Sequence, residues 1–404
     1  MSVSEYTGVS PRSNIVAEGD HLSRAESLEG YKKCSQNDLV VNIMLAWKRG
    51  LGISKYDGIV SPAYAVFRPD LTQSSGGYLH YLLRTDLYTS YFKQNSTGVI
   101  DSRLRLYPDE FTRTPLVVPP LPEQQAIATF LDRETTRIDA LIARKERLLE
   151  LLEEKRKAII SQAVTRGLDA SAPMRDSGVE WLGQVPEGWS IEPLKRSLRG
   201  IEQGWSPECE NRLAELNEWG ILKSGCVNHG VFQEVEHKAL PLSFEPNPSI
   251  EVHPGDILMS RASGSVDLIG SVALVNNVRQ GLMLSDKVFR LLPLSIDTSF
   301  LVWSMGSKEF RLQIRKAISG AEGMANNISK SSIREMLICI PPLTEQQAIA
   351  AYLGAQTTKL GALRQKMKQS VEKLSEYRTS LISAAVTGKI DVRGEVPDQE
   401  DVPT

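Results

Sequence analysis

The strongest pattern along the chain is an apolar stripe that occurs twice. Leu141, Leu148, Leu152 and Ile159 follow Ile138 at steps near three and four, and Leu360, Leu363, Met367, Leu374, Tyr377 and Leu381 do the same further on. Arg, Lys and Glu crowd the other positions between Ala143 and Lys157. This spacing predicts long amphipathic helices with a heptad-like seam, interrupted in the first copy by Lys145 and Lys155. Proline pairs at Pro119-Pro120 and Pro341-Pro342 mark the entries, and Gly167 and Gly388 the stops. The two segments are one repeat. The stretch PPLPEQQAIA at Pro119–Ala128 returns as PPLTEQQAIA at Pro341–Ala350, 222 residues later, and residues 119–165 match 341–387 at 23 of 47 positions without a gap. A helix from Thr135 to Thr165 would be about 46 Å long at ~1.5 Å per residue. Most helical stability comes from packing, so matching seams make each helix the other's expected partner. The long segment between them lets the chain turn back, which predicts antiparallel pairing. Packing on separate domains and a homodimeric coil are the alternatives.

Between the helices the period changes. Residues 167–185 are rich in Gly, Pro, Ser and Asp and read as a linker. From 186 to 340, short apolar runs between turn residues predict strands mixed with short helices: strands at Asp256–Ser260 (after the turn Pro254-Gly255), Gly270–Val275, Asp286–Leu291 and Leu337–Ile340, and helical spacing at Phe300–Ile318. The first 118 residues echo this order. Asp38–Asn42 resembles Asp256–Ser260, Gly52 lies as far from Asp38 as Gly270 from Asp256, and Val66-Phe67-Arg68 matches Val288-Phe289-Arg290. Tyr78–Gln94 matches the later helical stretch, while Gly98 and Leu116-Val117-Val118 line up with Gly320 and Ile338-Cys339-Ile340. The expected class is therefore α/β (α+β), with two mixed domains separated by two long helices: 1–118, helix 119–166, linker 167–185, 186–340, helix 341–387 and an acidic tail 388–404. At ~150 residues per domain, 404 residues fit this count. The helices are alike and the globules differ, which predicts two readers of different ligands held on one scaffold.

Composition is that of an ordinary globular chain, 41% hydrophobic and 24% charged, with no apolar run long enough for a membrane span and no signal-peptide pattern. Cys34, Cys209, Cys226 and Cys339 are scattered without a CxxC pair, as expected of reduced thiols in a cytoplasmic protein. The net charge of −2 means that any nucleic-acid binding rests on local patches. Catalytic patterns are missing: there is no GxGxxG after a strand, no amino-methyltransferase tetrapeptide, no GxxxxGK[ST] and no GxSxG. Glu236-His237-Lys238 lacks a partnered acidic strand, and Cys226, His229 and His237 lack a fourth zinc ligand at workable spacing. The chain reads as a binder with no catalytic, cofactor or metal residues of its own.

Reading DNA takes forked donors at base edges and basic or hydroxyl groups at phosphates. In the second globule the polar loops 260–265, 285–287 and 323–330 offer Arg261, Ser263, Lys287, Asn326 and Lys330. In the first, the candidates are Trp47, Lys48, Arg49, Lys55, Arg103 and Arg105. Arg261 directly follows a buried strand, so its position is fixed and its fork can pair with guanine.

The paired PPLxEQQxAI helix starts, the Ala-Val-Thr helix ends and Trp181-Leu-Gly-x-x-Pro186-x-x-Trp189 together resemble the DNA specificity subunits of type I restriction-modification systems, over about Asp38 to Val386. The resemblance implies two target-recognition domains that each read half of a split double-stranded DNA site, with the antiparallel helices as a ruler for the spacer. It implies two modification subunits that bind S-adenosylmethionine and methylate adenine, and two restriction subunits that use ATP and Mg. It implies no catalysis by this subunit. A bivalent protein-binding scaffold, or an inactive specificity fragment of a recombining locus, are the competing readings. One departure stands out: 75 residues run from Trp181 to Gly255, but only 37 precede Asp38, without the Trp-Leu-Gly opening. The expectation is a shortened first domain, with Leu39 and Val41 uncovered and residues 1–36 mobile.

Overall fold

The computed structural model describes residues 1–5, 8–11, 29–318 and 326–394. It divides into two compact units, unit 1 at Met1–Leu148 with Met367–Thr404, and unit 2 at Leu149–Lys366. Gly320, residues 323–325 and most of the first 36 residues' middle stretch (12–28) lie outside the described residues, as does 395–404 of the tail.

Unit 1 opens with β1 (Ser2–Ser4) and β2 (Gly8–Ser10), an antiparallel pair, followed by β3 (Lys32–Cys34), β4 (Leu39–Asn42), β5 (Leu51–Ile53), β6 (Gly58–Val60) and β7 (Tyr64–Phe67). β4 is the middle strand of an antiparallel sheet β5-β4-β7, and β3 pairs with β6. Two helices, α1 (Gly76–Leu82) and α2 (Asp86–Gln94), cover one face, with α3 (Pro108–Thr112) beyond them. All four residues of β4 are buried. That corrects the expected exposure of Leu39 and Val41. These two side chains enter a core with Tyr78, Leu82, Phe92 and Phe111, while Val40, on the other face, meets Val3, Val9, Cys34 and Val60. Each such burial is worth ~1.5–3 kcal/mol, and the sequence hid it because the covering residues are far away in the chain. The helical stretch Tyr78–Gln94 is two helices, because Thr85 leaves helical geometry and starts α2.

The first long helix, α4 (Leu121–Arg166), is unbroken over 46 residues and ends where Gly167 turns to φ +78°. Its repeated motif has a structural job. Gln124 is fully buried; its carbonyl accepts from Ser75 N (2.8 Å), at the start of α1, and its amide donates to Gln73 O (3.0 Å) and Pro119 O (2.8 Å). At ~1 kcal/mol net per hydrogen bond, one glutamine pins three segments.

Unit 2 contains β8 (Met174–Asp176), β9 (Gln184–Pro186), β10 (Ser190–Pro193), β11 (Leu198–Gln203), β12 (Gly220–Leu222), β13 (His237–Ala239), β14 (Ile257–Ser260), β15 (Val272–Leu274), β16 (Leu282–Met283) and β17 (Val288–Pro293). After these come α5 (Thr298–Met305), α6 (Lys308–Ala317), α7 (Lys330–Glu335), β18 (Leu337–Ile340) and the second long helix, α8 (Leu343–Val386). The central sheet is β11-β17-β14-β15, all antiparallel, with a second sheet β13-β12-β16 and the pairs β10-β18 and β8-β9. Gly255 enters β14 at φ +96°. Like β4, β14 is buried throughout: Ile257 and Met259 face the helices, and Leu258 faces Leu222, Val227 and Val252. Residues 167–185 are no linker. β8 pairs with β9, and Leu182 and Val185 are buried in the core. The stretch Phe300–Ile318 breaks at Gly306, where Ser307 caps α6 by accepting from Phe310 N at 3.2 Å. Gln346 repeats the role of Gln124, its carbonyl accepting from Asp297 N (2.8 Å) and its amide donating to Pro341 O (2.8 Å).

Within each unit the long helices run antiparallel. In unit 1 the start of α4 (Ile127, Leu131, Ile138) shares a core with the end of α8 (Leu381, Ala385, Val386), and Arg378 makes a two-pronged ion pair with Asp139 at 2.8 and 3.1 Å. In unit 2 Ile160, Ala163 and Val164 of α4 pack with Ile349 and Leu353 of α8, and Arg364 meets Glu153 at 2.8 Å. The seam is not the one the spacing suggests. Leu141, Leu148, Leu363 and Tyr377 are exposed, and the sheltered positions lie one residue on, at Ile142, Leu149, Arg364 and Arg378. Steps of three and of four both fit a chain with adjacent leucines, and only the partner helix chooses between them.

Candidate nucleic-acid interface

The C-terminal end of the central strand collects the polar loops in unit 2. Ser260, the last residue of β14, pairs with Val288, the first of β17, so Arg261 and Lys287 come side by side and Arg261 N donates to Lys287 O at 2.8 Å. Ile328 N returns to Arg261 O at 3.0 Å, and Ala262 bridges Asn327, which brings in Asn326 and Lys330. Arg261 is steadied by Asp286, donating to its carbonyl at 3.2 Å with its carboxylate 3.9 Å away. Lys287 bonds the same carboxylate at 2.8 Å. Burial pushes the Asp286 carboxyl up, but the bonds from Lys287 and Ser206 and the charge of Arg261 outweigh it and hold the group below the usual carboxylate range. The Lys330 ammonium lies 5.8 Å from the Phe289 ring, and Ser263 accepts from Ser265 N at 3.2 Å. Lys287 is exposed, whereas Arg261, Ser263, Asn326 and Lys330 are half-buried.

Sequence reading missed the loop after β11. Gln203 pairs with Phe289 and its amide donates to Asp286 O at 3.1 Å; Ser206 donates to the Asp286 carboxylate. Between them Trp205 stands partly exposed, edge-on to Phe244 with ring centroids 5.6 Å apart. The available signal was Gly204, where a Cβ would lie 1.9 Å from Leu284 O.

Unit 1 builds the same end from different residues. Leu106 N donates to Ile43 O at 2.8 Å, the counterpart of the Ile328–Arg261 bond. This ties the loop carrying Arg103 and Arg105, both exposed, to the turn after β4. In that turn Trp47 donates to Met44 O at 3.1 Å and has the Lys48 and Lys93 ammonium groups each 4.9 Å from its ring. Arg49, at φ +64°, is paired with Asp86. Its carbonyl and that of Leu51 accept from Arg84, both at 2.7 Å. Lys55 does not join this set. It follows β5 beyond Ile53, which pairs with Leu39, and so sits at the opposite end of the sheet from Asn42. The hairpin reverses direction, which a linear list of basic residues cannot show.

No family model matches the chain. Among curated proteins, the Escherichia coli type I restriction enzyme EcoEI specificity subunit is 28% identical over 244 residues, 59% of this chain and 40% of that protein. The MjaVIII specificity subunit of Methanocaldococcus jannaschii is 24% identical over 386 residues, 90% of this chain and 83% of the relative. This chain is a homologue of type I restriction specificity subunits. Its match to the EcoEI subunit spans under half of that relative's length. The fold agrees: a chain in a solved structure on complex assembly and conformational transition of the type I R-M system superposes with a TM-score of 0.70 at 16% identity, covering 90% of this chain and 85% of that one. Like them, the specificity-subunit homologue described here combines mixed α/β units with long helices. No helix among the described residues is long and apolar enough to cross a membrane.

Proposed function

We propose that this chain is the sequence-specific DNA-binding subunit of a type I restriction-modification complex. The observation that carries the reading is the shared tertiary bond, Leu106 N to Ile43 O and Ile328 N to Arg261 O, which gathers chemically unlike loops at one place on two like frameworks. Such an arrangement suits two half-sites of different sequence. Arg261, held by a buried strand and Asp286, is placed to donate its fork to a base edge; Lys287 and Lys330 suit phosphates. Trp47 with Lys48, Lys93, Arg103 and Arg105 is the corresponding set in unit 1. The long helices serve as spacer ruler and as docking platform for two modification subunits, which supply S-adenosylmethionine chemistry. Two restriction subunits bring ATP and Mg. This chain contributes recognition and no catalytic group.

The test is methylome sequencing of cells that carry the chain with its modification partner, for the parent and for Arg261→Ala. The expected result is a bipartite site in which the variant relaxes one position of one half, with a loss of ~1–3 kcal/mol in binding. Uniform weakening over all sequences with a reduced salt slope would make Arg261 a phosphate contact. Binding without salt dependence or sequence preference would sink the DNA reading.

A further inference from the structure

The strand that leads into each long helix is treated differently in the two units. In unit 2, β18 pairs with β10, Ser190 opposite Ile340 and Glu192 opposite Ile338, and Leu194 N donates to Met336 O at 2.7 Å. This phase turns the backbone groups of Ile338 and Ile340 toward β10. The other edge faces α6, where the Gln313 side chain bonds Leu337 N (2.8 Å) and Leu337 O (2.9 Å). The matching stretch of unit 1 is Pro115–Val118. Its inner edge is held in the same way: Tyr88 Oη donates to Pro115 O (3.2 Å) and accepts from Val117 N (3.3 Å), and Tyr78 Oη donates to Val117 O (2.8 Å). Those tyrosines stand where unit 2 has Phe300 and Phe310.

Its outer edge is open. Among the described residues no hydrogen bond reaches the backbone of Leu116 or Val118, and Leu116, Val117 and Val118 are 40%, 67% and 47% exposed. Beside them runs a groove of about 770 Å³ lined by Leu39, Phe67, Leu79, Phe111, Leu116 and Val118. Unit 2 shows what fits such a place. Leu194 and Leu198, just after β10, are buried in one cluster with Ile257, Leu301, Ile333 and Ile338, the counterparts of four of those lining residues. An unpaired apolar edge next to a side-chain-sized groove is the geometry of strand addition: backbone bonds supply affinity and pockets for alternate side chains supply selectivity.

We propose that this edge and groove of unit 1 bind, in trans, an extended segment of a separate polypeptide with the pattern of Ser190–Leu194: an aliphatic residue, a proline two positions on that ends the strand, and a leucine for the groove. The proposal stands independently of the DNA reading. It is tested with the full chain and a fluorescent peptide of the sequence Glu187–Ser197 (EGWSIEPLKRS), read by anisotropy and amide hydrogen exchange. The expected result is saturable binding with exchange at Leu116 and Val118 slowed at least tenfold. Carrying Leu194→Asp in the peptide should cut affinity more than tenfold without touching the protein. Leu116→Pro in the chain, which deletes an amide that no described group uses, should do likewise with its unfolding midpoint unchanged. Equal binding of a scrambled peptide, or protection elsewhere than at 116–118, overturns the proposal. So does self-association that the peptide dissolves, because it assigns the groove to a second copy.

Discussion

An aspartate precedes the central strand in both units and meets an arginine from the neighbouring strand, yet the two pairs are physically different. Arg68 donates to Asp38 at 3.2 Å with its own side chain 80% exposed. Arg290 is 8% exposed and holds Asp256 (3.0 Å), Glu202 (2.7 Å) and the carbonyls of Glu251 and Ser249. Burial alone would depress the Arg290 guanidinium, and Asp256 and Glu202 reverse that and raise it. The reason lies in the layers above. β11 and the segments after it lie over unit 2, while β7 is the last strand of its sheet among the described residues of unit 1. The same local sequence is a structural keystone under a roof and a surface pair at a rim.

The largest expected effect tests that contrast directly. Arg290→Ala strands Asp256 and Glu202 and should cost ~3–5 kcal/mol, whereas Arg68→Ala should cost less than ~1 kcal/mol. Denaturant unfolding followed by amide exchange, which assigns the loss to a unit, checks both, and equal losses would erase the distinction.

A smaller effect should appear on acidification, in unit 1 only. Burial drives the His80 imidazole down to about 3, helped by the charges of Arg84, Lys55 and Arg378, and its Nδ1 accepts from Ile53 N at 3.4 Å. The folded ring stays neutral while the unfolded one protonates near pH ~6.5. Stability is therefore full above that pH and is lost as pH falls from about 6.5 toward about 3, by ~1–2 kcal/mol between pH 7 and pH 4.5 for this half-buried group. Unit 2 has Val302 at the matching position and lacks this term. His80→Gln should flatten the pH profile of unit 1; an unchanged slope would assign the loss to carboxylates instead.

The smallest effect concerns the helix pairs. Arg378→Ala and Arg364→Ala each remove a partly exposed ion pair, at 2.8 Å to Asp139 and to Glu153. Each should lower the unfolding free energy by ~0.2–1 kcal/mol, less in high salt. A loss well above that in one unit alone would mean that its seam depends on the charge more than on the flanking apolar contacts.

The sequence by itself determined the duplicated plan. The 222-residue repeat, the helix limits near Leu121, Arg166, Leu343 and Val386, and the buried strand after Asp256 were all legible, because periodicity, proline entries and glycine stops are local properties of a chain. So was the set of polar loops in unit 2, since each directly follows or precedes a strand. Tertiary structure decided the rest. Leu39 and Val41 are buried by residues dozens of positions away, the folded stretch 167–185 is anchored by Leu182 and Val185 in a core it does not itself contain, and the seam runs through Ile142 and Leu149 because a partner helix selects one of two equivalent spacings. Lys55 was placed at the wrong end of the sheet, and Gln203, Trp205 and Ser206 were overlooked, for one physical reason. A strand pair brings together residues that are distant in sequence and sends neighbours to opposite ends, and the hydrogen bonds that fix its register are made between segments that carry no mark of each other.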